Sequence, residues 1–231
     1  MVTLWITPAE IAVHELVVEG DRYRHLFRAR RMAVGDRVRL VDGEGRARWG
    51  EVLRVERRHG VVRLGDPAAL HEPARGVELV VAPPKPQRAA WLMEKTTELG
   101  VAAVRFLGSE RAPRRYGDGT LSRLRRVAIA ALEQCQGSRL PEITGVHDWS
   151  ELSSLIAGRE SRYVLRPGHR SLASLDCSRR ATVLVGPEGG WTSSELDEMQ
   201  ALDLPSFSLG PRILRVETAA VAAAAILLTD S

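Results

Sequence analysis

From Trp5 to Leu64 apolar and polar positions alternate in short runs: 12–18, 36–41, 49–55 and 60–64 place most of their aliphatic side chains at every second position. That is the period of a strand with one buried face. Asp42-Gly43, between two of these runs, is a hairpin-turn dipeptide, and the regular turn spacing predicts a small antiparallel barrel. Residues 21–31 break the period and predict a helix capped by Asp21 that carries five arginines and a histidine. The stretch 65–76, with two prolines and two glycines and no periodicity, reads as a linker dividing a domain at 1–70 from one at 71–231. Beyond it, 77–82 and 101–107 are buried strands. A helix over 87–99 has Leu92, Thr96 and Leu99 on one face, Trp91 in its packing pattern and Gly100 as its stop. Leu121, Leu124, Ala128, Leu132 and Cys135 form a helical stripe, followed by apolar runs at 162–165, 181–185 and 207–209. Strands alternating with helices predict an α/β domain built on a parallel sheet.

Two segments near the end join an apolar run to a helix through glycine. In the first, Val183–Gly190, Gly186, Gly189 and Gly190 can present bare N–H groups while Pro187 holds one φ fixed; Thr192 and Glu195 then have capping-box spacing. In the second, Leu209–Ala219, the charged Arg212, Arg215 and Glu217 are crowded among Gly210, Pro211, Ile213, Leu214 and Val216. Charge in such a setting needs a partner, so an Arg215–Glu217 pair or a polar ligand is expected. Glu217 and Thr218 also stand where they can cap the last helix. Its small residues, Ala219, Ala220 and 222–225, suit close packing in a core or a subunit interface. The absence of Gly-Lys-Ser/Thr argues against an ATP site, and no acid follows at the dinucleotide spacing.

Composition changes this picture in three ways. Of the 33 basic residues only Lys85 and Lys95 are lysine, and the positive excess lies upstream of residue 161. An anionic polymer would meet the first two thirds of the chain, and a small ligand the last third. Cys135 and Cys177 lack metal or disulfide spacing and read as buried thiols, so no metal is expected. No run reaches the roughly 18 apolar residues of a membrane span, and the opening residues lack the basic start of a secretory signal, so a cytoplasmic protein is expected.

Leu184–Gly190 and Leu209–Ala219 together resemble the SPOUT class of methyltransferases. Within it the chain is similar to the ribosomal RNA small subunit methyltransferase E family, with further matches at His25–Arg31, Glu94–Gly100, Ser109–Arg111 and Glu133–Cys135. The resemblance implies a homodimer, an N-terminal PUA/OB-like barrel that grips RNA, and a C-terminal domain tied in a deep trefoil knot. The activity it implies is methyl transfer from S-adenosylmethionine to N3 of one uridine in 16S ribosomal RNA of the small subunit. The cofactor would lie among three loops: Leu165 and Arg166; Gly186, Pro187, Glu188, Gly189 and Gly190; and Leu209, Gly210, Ile213, Leu214, Arg215, Thr218 and Ala219. The reaction needs a proton acceptor and a stabiliser of negative charge on the uracil oxygens. Arg215 with Glu217 is the expected catalytic pair, and Glu188 an alternative acceptor. RNA contacts are expected from Arg22, Arg24, His25, Arg28, Arg30 and Arg31, and from Lys85, Lys95, Arg111, Arg114 and Arg115. Two other functions fit the same motifs: a SPOUT enzyme acting on a ribose 2′-hydroxyl or another base of ribosomal or transfer RNA, and a non-enzymatic RNA-binding assembly protein.

Overall fold

A computed structural model describes residues 1–159, 161–175 and 180–229. Cys177 lies outside them. The chain forms two compact units. The first comprises Met1–Glu72 with Ile129–Leu140, and the second Pro73–Ala128 with the chain from Pro141 onward.

The first unit is a five-stranded sheet in the order β1-β3-β4-β5-β2, from β1 (Thr3–Trp5), β2 (Glu15–Glu19), β3 (Arg37–Val41), β4 (Ala47–Val55) and β5 (His59–Pro67). All pairs are antiparallel except β1 with β3, a parallel pair formed by a strand too short to show periodicity. In β2 the alternation is strict: Leu16 and Val18 are buried while Val17 faces water, and they join Leu4, Ile6, Val38, Leu40, Val52 and Val62 in one core. Each such side chain contributes about 1.5–3 kcal/mol. β2 begins three residues later than the run at 12 implies, because Glu10–Ala12 form a turn of 3-10 helix. In the Asp42 turn, burial alone would raise the carboxyl pKa. The Arg46 and Glu44 N–H groups and the Arg46 guanidinium outweigh it and leave the group below its ordinary value.

The basic segment departs from expectation. Helix α1 (Gly20–Tyr23) has Glu19, not Asp21, at its N-cap position, with no capping bond from the Glu19 side chain, and continues as a π-helix over Arg24–Ala29. Tyr23, Leu26 and Phe27 are buried together in the core of this unit. Asp21 instead pairs with Arg24. The expected linker is also shorter than 65–76, since β5 runs through Pro67 and the next strand starts at Gly76.

The second unit is a six-stranded parallel sheet in the order β11-β9-β10-β6-β7-β8. Its strands are β6 (Gly76–Val81), β7 (Ala103–Leu107), β8 (Glu142–His147), β9 (Ser161–Leu165), β10 (Arg180–Val185) and β11 (Ser206–Phe207). Its helices are α2 (Pro86–Leu99), the first part of α3 (Asp118–Cys135), whose residues from Ile129 on count with the first unit, α4 (Leu152–Ile156), α5 (Ser193–Ala201) and α6 (Val216–Leu228). Of the interior strands, β6, β7 and β10 are buried along most of their length because both faces of the sheet are covered. Leu79, Val81, Val183 and Val185 pack with α2 and α6, whereas Val80 and Leu184 pack with Ile156, Trp191 and Met199. Gly100 takes the left-handed conformation that ends α2. On α6, Ala220, Ala223 and Ala224 are core residues. Two expectations fail: Trp91 is 42% exposed on α2, and Cys135 is half-buried, its thiol directed to the Leu132 carbonyl.

Candidate functional site

The carboxyl ends of β9, β10 and β11 carry three loops that enclose a cavity of about 370 Å³. This is where parallel sheets present ligands. From the first loop come Leu165, Arg166 and Pro167; from the second, Val185 through Trp191; from the third, Ser208, Leu209, Gly210, Arg212, Ile213 and Leu214, with Leu196 and Ala219 completing the wall. Arg215 and Thr218 lie outside the lining, as does Glu217.

Local interactions hold each loop. Gly190 N–H donates to the Pro187 carbonyl at 2.8 Å, closing the glycine turn. The capping box then forms as the spacing predicts: Thr192 Oγ1 accepts from Glu195 N–H, and Glu195 Oε2 from Thr192 N–H at 2.8 Å. Glu195 Oε1 also accepts from Glu110 N–H at 2.9 Å, latching the loop after β7 to the start of α5. Arg111 in that loop donates to the carbonyls of Gly189 and Trp191. Beneath the turn lies Trp191, itself packed against Trp149 at 5.5 Å between ring centroids. In the third loop, Gly210 N–H donates to Ser208 Oγ at 3.1 Å, and Ile213 stands 77% exposed on the cavity rim.

The crowded charges pair otherwise than expected. Glu217 is buried near the start of α6, whose N-cap is Arg215, and neither Glu217 nor Thr218 caps it with a side chain. Its Oε1 lies 3.6 Å from Arg88 Nε on α2, and Arg88 Nη1 reaches Glu188 Oε1 at 3.1 Å. Arg88 therefore joins the two turns, and Arg215 is exposed with no ion pair to Glu217. Glu217 Oε2 is buried without a partner among the described residues, and so is Trp191 Nε1. Sequence reasoning passed over Arg88 and Trp191. The only signal for Arg88 was a cation one turn into a helix entered directly from a strand end.

The expected RNA-contacting cations separate into engaged and open groups. Arg22 makes a two-pronged bond to Glu10, at 2.8 and 2.7 Å, which holds the Glu10 carboxyl at a pKa of about 2. Arg24 pairs with Asp21, while Arg28 lies over the Tyr23 ring and donates to the Arg57 carbonyl. Arg30 and Arg31 are exposed and His25 is half-buried. Burial raises the pKa of Glu133, an effect opposed by the Trp5 N–H and by the charges of His25, Arg30 and Arg22. In the second unit Lys95 is held by Glu94 and Glu98, and Arg115 by Asp148. Lys85 and Arg114 are exposed and have no carboxylate within ion-pair distance among the described residues. Those residues contain no metal-ligating cluster and no helix long and apolar enough to cross a membrane.

The RNA methyltransferase domain family matches residues 71–228, the greater part of the chain. The chain belongs to that family. The RNA methyltransferase PUA domain matches residues 18–64. Among curated relatives, Ribosomal RNA small subunit methyltransferase E of Synechocystis sp. is 27% identical over 230 residues, covering 96% of this chain and 75% of that protein. The protein of the same description from Bacillus subtilis is 26% identical, covering 87% and 85%. The likeness to that family read from the sequence is thus borne out. Among solved structures, Ribosomal RNA small subunit methyltransferase E from Neisseria gonorrhoeae, bound to S-adenosyl methionine, superposes with a TM-score of 0.88 at 23% identity, covering 97% of this chain and 95% of that one. A probable rRNA-methyltransferase from Porphyromonas gingivalis gives a TM-score of 0.85 at 27% identity, covering 97% and 96%. The parallel-sheet unit has the SPOUT architecture, joined to a PUA-like sheet.

Proposed function

We propose that this chain binds S-adenosylmethionine between its glycine turns and methylates N3 of a uridine in 16S ribosomal RNA, acting as a cytoplasmic homodimer whose PUA-like unit helps to hold the RNA. The observation that carries this reading is the cavity at the carboxyl ends of β9, β10 and β11, walled by main chain and apolar side chains. Its character suits the cofactor: glycine main chain with no side chain in the way, Leu165, Leu209 and Ile213 for a flat apolar ring, and a buried Trp191 N–H without a partner among the described residues. It has no lysine among its lining residues for a phosphate chain.

When bound, S-adenosylmethionine supplies a methyl group activated by its sulfonium charge. The protein must then place the acceptor nitrogen and take its proton. Glu188 is the carboxylate that borders both this cavity and the neighbouring hollow after β6. The geometry thereby favours Glu188 over Glu217 as proton acceptor. Glu217 is a positioning residue acting through Arg88, whose guanidinium orients the Glu188 carboxylate.

A methylation assay with wild-type protein on 30S particles and on naked 16S RNA, followed by nucleoside analysis, tests the reading. The expected product is 3-methyluridine. A 2′-O-methyl or other base mark would overturn the assignment of the atom. Failure to bind S-adenosylmethionine by calorimetry, with a folded protein, would turn the reading toward an RNA-binding module. Gly186→Ala tests the cradle itself. An added Cβ would lie 2.6 Å from Trp191 Cε2 and 2.8 Å from Nε1, so the turn must shift. Cofactor affinity is expected to fall at least about tenfold, roughly 1.4 kcal/mol, in calorimetry; unchanged affinity would remove this turn from the binding site.

A further inference from the structure

A second hollow, of about 460 Å³, lies beside the first at the carboxyl ends of β6 and β7, with Glu188 in the wall common to both. Its size falls within the roughly 300–1,000 Å³ of small-molecule pockets. Pro83, Pro84 and Pro113 make its walls stiff, and Tyr116 Oη donates to the Pro84 carbonyl while its ring packs edge-on against Phe106 at 4.9 Å. Four cations line it. Arg88 is engaged by Glu188 and Glu217, and Arg111 by the carbonyls of the glycine turn. Lys85 and Arg114 have no such partner among the described residues, so two like charges face one walled space. Such an arrangement favours an anion, and an arginine beside a lysine suits the tetrahedral oxygens of a phosphate.

We propose that this hollow holds the phosphodiester of the nucleotide to be methylated, with Lys85 and Arg114 as its ligands. This rests on the reading of the chain as an RNA methyltransferase. Glu188 repels a phosphate, so the anion sits at the Lys85–Arg114 end and the base is directed across Glu188 toward the methyl-donor cavity. Lys95 and Arg115, which carry the same formal charge, take no part because Glu94, Glu98 and Asp148 already hold them.

The test compares the double variant Lys85→Ala/Arg114→Ala with wild type and with Arg125→Ala, which removes an exposed charge from α3. Binding to a full-length 16S rRNA transcript is measured across a salt series, S-adenosylmethionine binding by calorimetry, and folding by circular dichroism. The double variant is expected to lose about 10- to 100-fold in RNA affinity at low salt, with a salt slope shallower by about 1 to 2. Its cofactor affinity should stay within about twofold of wild type, and Arg125→Ala should match wild type in both. Wild-type RNA affinity and slope in the double variant would overturn the proposal. An equal loss in Arg125→Ala would also overturn it, because it would show diffuse charge attraction alone. A matching loss of cofactor affinity would overturn it too, since the hollow would then belong to the donor site. Failure of wild type to bind S-adenosylmethionine is a separate result that strikes the function, not this site.

Discussion

Arg39→Met is expected to lower the unfolding free energy of the first unit by about 3–5 kcal/mol, since several carbonyls with little access to water lose their donor at about 1–3 kcal/mol each. Arg39 sits in β3, interior to its sheet, and is 1% exposed. Its Nη1 donates to the carbonyls of Gln136 at 2.9 Å and Gly137 at 3.1 Å; its Nη2 donates to the Ala69 carbonyl at 2.9 Å and Ser138 Oγ at 2.6 Å. Burial draws the guanidinium pKa below its ordinary value, and Glu72, which accepts from the Ser138 and Arg139 N–H groups, opposes that pull. Methionine fills much of the volume but leaves three carbonyls without donors. Arg39→Lys should recover less than half of the loss, because one ammonium cannot span the whole acceptor set. Urea unfolding measures the change, and hydrogen exchange should locate it in residues 136–140. A loss below about 1 kcal/mol would show that water replaces the guanidinium at those carbonyls.

Arg39 also marks where reading the sequence stopped. Its alternation with Val38 and Leu40 was visible, but a charge among apolar positions reads as solvent-facing unless its partners are known. Three of its four partners come about a hundred residues later, from a segment after α3 that belongs to the first unit. A linear division at residue 70 has no means of finding it. The strands with regular periods and the capping box at Thr192 were legible because their signals are local. β8 was missed because it is an edge strand whose residues are at most half-buried and include Gly145, so no apolar run announces it. The π-helix escaped for a related reason, since its period differs from those of an α-helix and a strand.

The candidate site shows the same boundary between local and distant information. The glycine turns were readable as backbone presented to a ligand, since glycine and proline act on their own φ and ψ. The pairing of Glu217 was not. Proximity in sequence suggested Arg215, but Arg215 is exposed at the N-cap of α6, and α2 supplies Arg88 instead. A carboxylate and an arginine separated by most of the domain were joined by the packing of α6 against α2.

That junction yields the other large expected effect. Glu188→Gln should reduce kcat for methyl transfer by about 100-fold or more, the range for loss of a positioned proton acceptor, while the variant still binds S-adenosylmethionine. Arg88→Ala and Glu217→Gln should each reduce kcat by about 10- to 100-fold with little change in cofactor affinity, because neither residue lines the donor cavity. The distinguishing result is their combination. If Glu217 acts only by holding Arg88, and Arg88 by orienting Glu188, the double variant Arg88→Ala/Glu217→Gln should be no slower than Arg88→Ala, a coupling of about 1.4 kcal/mol or more. Strictly additive losses would mean that Glu217 meets the acceptor independently, through the oxygen that now lacks a partner. Glu188→Gln at wild-type rate would remove Glu188 from proton transfer and leave Glu217 as the remaining candidate.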